Sequence, residues 1–131
     1  MLYKYFKTII YGLISMCMFT YSSQAQTTYY VDGTNGSNAS NGQSWANAKK
    51  DIPDAMNLTS SGDQVWVMSG TYSPSQDHTF NSSPSDPRRK TFYIKDGVKL
   101  YGGFSSANNT FASRNPKTNV TILDGNLGIV K

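Results

Sequence analysis

The chain carries few side chains able to do chemistry: eight Asp, one His, one Cys and no Glu among 131 residues. His78 and Cys17 cannot complete the four-ligand sets of structural zinc, and a single Cys leaves no disulfide framework. Carboxylates could hold calcium, so the stretch Asp32 to Gly42 (Asp-Gly-Thr-Asn-Gly-Ser-Asn-Ala-Ser-Asn-Gly) is the place to test. Counted from Asp32, Gly36 stands fifth, Ser37 sixth where the sharp-turn Gly belongs, and Gln43 twelfth in place of the bidentate Glu. The stretch reads instead as turn chemistry, rich in Gly and Asn that tolerate positive φ. Gly102-Gly103 lacks the Lys-Ser/Thr partner and the following helix that a phosphate cradle needs. The remaining Asp residues sit on separate turns, Arg88 and Arg89 in one loop and Arg114 in another, so no convergent acid, base and charge stabiliser is formed. The expectation is no catalytic, cofactor-binding or metal-ligating residue and no cofactor.

Ser, Thr and Asn make 40 of the 131 residues, a composition that favours strands and turns over helix. Lys4 and Lys7 open an uncharged, mostly apolar run from Thr8 to Tyr21 that leaves through Ser23-Gln24-Ala25, the pattern of a secretory signal cleaved before Gln26. Gly12, Ser15, Thr20 and Ser22-Ser23 interrupt the run short of the ~20 apolar residues of a membrane span, and Met16 stands where a lipoprotein signal needs a small residue before Cys17. Residues 1–25 are therefore expected to be a signal peptide and 26–131 the exported part, secreted or on the cell surface with no membrane span. Loss of Lys4 and Lys7 takes the twelve Lys and Arg to ten against eight Asp, a net charge of +2. Charge that sparse gives no basic stripe for nucleic acid, nor are the aromatics interleaved with Lys or Arg.

Thr27 to Val31 is aromatic and β-branched, a strand. Apolar positions Trp45, Ala48, Ile52, Ala55 and Met56 recur at spacings that predict one amphipathic helix over Trp45 to Leu58, with Asp51 before Ile52-Pro53 as an N-cap. Gln64 to Met68 alternates, Val65 and Val67 on one face and Trp66 on the other. Ser73 to Lys90, with Pro74, Pro84, Pro87 and His78, reads as a surface excursion with little to pack. Phe92-Tyr93-Ile94 leads into the turn Lys95-Asp96-Gly97 and on to Val98 through Tyr101, and Val120 to Leu123 stops at Asp124-Gly125-Asn126. Val65, Val67, Val98, Leu100 and Ile122 are expected to share one interior, while Trp45, Trp66, Tyr72 and Tyr101 are aromatic candidates for a surface that stacks on sugar.

Four segments in order resemble the N-terminal portion of right-handed parallel β-helix proteins of the pectate-lyase-like superfamily, close to large secreted or surface proteins of Gram-negative bacteria. They are Tyr29-Tyr30-Val31-Asp32-Gly33 with Ser40, Asn41, Gly42, Ser44 and Trp45; Gly62-Asp63 with Val65-Trp66-Val67 and Gly70-Thr71-Tyr72; Lys95 to Phe104; and Thr121 to Gly125. The resemblance implies an all-β fold, the N-terminal capped start of a right-handed parallel β-helix (a solenoid) with one short capping α-helix, over residues 26–131. It places acidic residues, calcium and a basic residue on later coils, so with the chain ending at Lys131 it implies a non-catalytic segment of a longer protein.

The function expected is that of an exported segment of an extracellular or cell-surface protein with a carbohydrate-related or adhesive role. Two alternatives stand beside it: the front end of a polysaccharide lyase or glycosidase whose active site lies further on, and a small secreted β-sandwich binding module. Partners expected are a polysaccharide or cell-surface glycan, and a second copy through an uncapped C-terminal coil.

Overall fold

The computed structural model describes residues 25–128. The segment before Ala25, with Cys17 and nearly all of the expected signal, lies outside the described residues. Five strands and one α-helix follow in the order β1 (Thr28–Val31), α1 (Ile52–Leu58), β2 (Gln64–Met68), β3 (Gly70–Tyr72), β4 (Lys99–Phe104) and β5 (Thr121–Leu123). They form two small parallel sheets, one ordered β1-β2-β4 and the other β3-β5.

The expected all-β, capped β-helix is corrected by this arrangement. Five short strands in two small parallel sheets, with one helix built into the core, stand in place of the expected stack of coils. The chain between β1 and β2 passes through α1, which buries Ile52, Ala55 and Met56 in the same core as Val31, Val65 and Val67. The helix thus supplies one wall of a small mixed α/β core and does not lie beyond the sheet as a lid. Ile122, placed inside by its spacing, is 49% exposed, because β5 pairs only with the three-residue β3 and no layer covers it.

Register in the larger sheet sets up two faces. Tyr29, Val65 and Leu100 align across the three strands and turn inward, while Tyr30, Trp66 and Tyr101 align beside them and turn outward. Val65 and Val67 are fully buried and Trp66 is half-buried, as alternation predicts. The ladder slips between Trp66 and Met68, so that Met68 pairs with Phe104. Gly103, beside the slip, has a φ of +92°, and a Cβ there would strike the backbone of Pro116 in the loop that follows β4.

The helix is shorter than its apolar spacing predicts. Trp45–Asn47 forms a separate 3₁₀ turn capped by the Ser44 hydroxyl, which accepts from the Asn47 N–H at 3.2 Å. Between the two, Lys49 is extended and bridges β1, its N–H donating to the Tyr30 carbonyl while its own carbonyl accepts from Asp32. Backbone used in that ladder cannot also be helical. Asp51 occupies the N-cap position without capping, since its carboxylate accepts from the Asn38 amide at 2.8 Å. At the other end, Lys95 Nζ donates to the carbonyls of Asn57 and Thr59 at 2.8 and 2.9 Å, closing the helix C-terminus with a cation.

The excursion from Ser73 to Lys90 also differs from its expected solvated form. Pro74, Gln76 and Asp77 are buried. Asp77 Oδ1 accepts from the Thr79 N–H and hydroxyl and from the Asn81 N–H, folding the loop about one carboxylate. Phe92 to Ile94 joins no ladder, although the following turn forms, with the Val98 N–H donating to Lys95 at 3.1 Å.

Candidate functional site

The aromatic candidates divide. Tyr72 is core, 6% exposed, with its hydroxyl donating to the Met68 carbonyl at 3.1 Å and accepting from the Gly33 N–H at 3.2 Å. Trp45, Trp66 and Tyr101 do meet on the outer face of the larger sheet, but mostly against other rings. Trp66 stacks on buried Phe104 with centroids 4.9 Å apart and planes 12° apart, and Phe111 leans on Trp66 at 5.7 Å and on Tyr101 at 4.9 Å. Trp45 meets Tyr30 edge-on at 4.8 Å, and its indole N–H donates to the Asn109 carbonyl at 2.8 Å. Arg114 lies over Phe111 and Tyr101 at 4.8 and 5.3 Å. This is a small second core beneath the loop after β4. Flat sugar faces would have to displace Phe111 or Arg114 to reach Trp66.

A different surface is open. The carboxyl ends of β1, β2 and β4 lie side by side, and each passes from an apolar residue into a polar one: Val31 to Asp32, Met68 to Ser69, Phe104 to Ser105. Between them runs a cleft of about 210 Å³ lined by Asp32, Thr34, Asn35, Ser69, Ser105 and Ser106, with Met68 the one apolar side chain. Ligands of open parallel sheets bind outside the carboxyl ends of the strands, because there the chain leaves the ladder and side chains of several strands converge.

Asp32 is held rigidly. Its Oδ1 accepts from the N–H groups of Thr34 and Asn35 at 2.9 and 3.1 Å, and its Oδ2 accepts from the Asn35 amide at 3.1 Å. Burial works to raise the carboxyl's affinity for a proton, but the hydrogen bonds from Asn35 and Thr34 outweigh it, and the group stays below the usual carboxylate range. Tyr72 supports this turn from below. Its hydroxyl joins Gly33, just past β1, to Met68 at the end of β2, and burial first of all raises its own pKa.

The cleft presents an ionised acceptor, an amide and four hydroxyls, each hydroxyl able to donate and accept. That set matches a polyhydroxylated ligand. Glycoside hydrolysis by the common route takes a pair of carboxyl groups, and Asp32 is the cleft's one carboxylate. His78 is exposed in its loop, and Asp124 accepts at Oδ1 from the Asn126 N–H at 2.9 Å; neither lines the cleft. Among the described residues no three His, Cys or Asp converge to hold a metal ion. Sequence reasoning passed over Ser69, Ser105 and Ser106; the repeated step from strand apolar to small polar residue was the available signal.

No known protein family, curated protein or solved structure matches the chain.

Proposed function

We propose that the chain is an exported, non-catalytic module that holds a saccharide at the carboxyl-terminal ends of its larger sheet, in a carbohydrate-related or adhesive role at the cell surface. The observation carrying this reading is the cleft itself, where Asp32, Asn35 and the hydroxyls of Thr34, Ser69, Ser105 and Ser106 converge over Met68. Export is supported by the Lys4 and Lys7 start, the apolar run and the Ser23-Gln24-Ala25 exit. The resemblance of four segments to secreted surface proteins supports the same role at the level of sequence.

The test is a glycan array on the protein recovered from secreting cells, followed by titration of the best ligand. Thr34→Val and Ser106→Ala each remove one exposed hydroxyl that makes no hydrogen bond among the described residues. Each should weaken binding by about threefold to tenfold, the worth of one neutral hydrogen bond, with an unchanged melting temperature. An array without signal, or variants that bind as the parent does, would end the reading.

A further inference from the structure

A second surface, away from the cleft, is apolar and open. Between β4 and β5 lies a groove of about 300 Å³ whose lining includes Val67, Leu100, Val120, Leu123 and a single charged side chain, Arg114. Both strands bounding it are outermost in their sheets. In a parallel ladder the polar groups of successive residues point alternately to the two sides. Lys99 donates its N–H to Asp63, toward β2, so the N–H and C=O of Leu100 point away from it, and no strand pairs with that side of β4 among the described residues. Further along, Gly102 and Gly103 are already taken, their carbonyls accepting from Arg114 and from the Asn115 N–H. The open stretch is therefore short and centred on Leu100. Val120 and Leu123, which line the groove with it, are 51% and 45% exposed.

An unpaired edge beside an apolar groove is the template for strand addition. Charge decides what can add. Arg114 has no carboxylate partner among the described residues, and Lys99 is exposed at the start of the same edge. A second copy pairing β4 with β4 about a two-fold axis would run antiparallel, bringing Lys99 of each toward the Arg114 end of the other, like charge against like. An acidic segment meets both cations instead. We infer that the groove between β4 and β5 receives an extended polypeptide of alternating apolar residues flanked by carboxylates, which adds to the β4 edge at Leu100 and sets its apolar side chains against Leu100, Val120 and Leu123. This inference does not rest on the saccharide reading.

The probes are the blocked pentapeptide Asp-Val-Tyr-Val-Asp, its counterpart with Lys at both ends, an N-methylated form of the first, and dodecanoate. The full chain should bind the acidic peptide and slow hydrogen exchange at the Leu100 amide by about tenfold or more, while the Lys peptide binds about tenfold more weakly, the worth of one charged contact. N-methylation should abolish binding. Lys99→Glu, an exposed change, should erase or reverse the preference between the two peptides, and Leu123→Asp should lose both. Four results would each overturn the inference: no binding of the acidic peptide, equal affinity for the Lys peptide, dodecanoate binding as well as the peptide, or protection of Leu100 that grows with protein concentration alone.

Discussion

Replacing Tyr72 by Phe removes one oxygen and leaves the ring in the core. That oxygen makes two hydrogen bonds, one from the Gly33 N–H and one to the Met68 carbonyl. Gly33 is exposed, so its N–H finds water, and Met68 keeps a second donor in the Thr121 hydroxyl at 3.2 Å. Neither partner is stranded, which holds the cost to the net worth of two bonds, about 1–2 kcal/mol. For a domain of this size that lowers the melting temperature by roughly 5–15 °C. The same substitution has a signature in alkali. Burial raises the Tyr72 pKa above its ordinary value of 10.0, so the folded state holds its proton more tightly than the unfolded. The stabilisation is fully present below pH 10 and is lost as pH rises through the folded pKa. Urea unfolding of parent and variant from pH 8 to 11.5 should show a fall in stability above pH 10 that is reduced in the variant. Hydrogen exchange at Gly33 should also quicken, as the turn carrying Asp32 loosens. A variant melting within a degree of the parent, with the same alkaline profile, would refute the idea that one hydroxyl joins the ends of β1 and β2.

Met56→Ala empties a fully buried site between α1 and the larger sheet and should cost about 2–5 kcal/mol in urea unfolding. Lys95→Met keeps the stem but removes the cation that closes α1; a loss of about 1 kcal/mol is expected, with earlier exchange in the last helical turn. Asp77 is held below its usual pKa, first by the Thr79 hydroxyl. Its contribution is therefore present above about pH 3.8 and lost as pH falls through the lower folded value, so limited proteolysis should cut the loop sooner in strong acid and, at neutral pH, in Asp77→Ala. Ile122→Asp, at an exposed position, should unfold within about 0.5 kcal/mol of the parent, whereas Val65→Asp buries an unpaired charge and should not fold.

Much of the local structure could be read from the chain. Tyr29 to Val31 and Gln64 to Met68 are strands because aromatic and β-branched residues alternate there, and the alternation also placed Val65 and Val67 inside with Trp66 outside. Helical spacing failed between Trp45 and Leu58, where Lys49 was required by the edge of β1. Ile122 and Tyr72 were misplaced for a related reason. Alternation tells which residues share a face, but only the pairing of β3 with β5 decides which face is covered. The cleft was the least legible part, since Asp32, Ser69 and Ser105 come from three separate stretches and meet only through the parallel register.

That register has a kinetic side. Thr28 pairs with Gln64, Gln64 with Lys99, and Gly70 with Thr121. Even β1 and β2, consecutive strands, pair in parallel across the intervening α1, so every ladder must close a loop of tens of residues before its first bond forms. Folding rates fall as contacts become more distant in sequence, and refolding here should take milliseconds to seconds even though the unit is small. A newly made chain of this kind stays open and unpaired for a long time on the molecular scale, so its strand edges are exposed to other chains for longer than those of a helical unit of equal size.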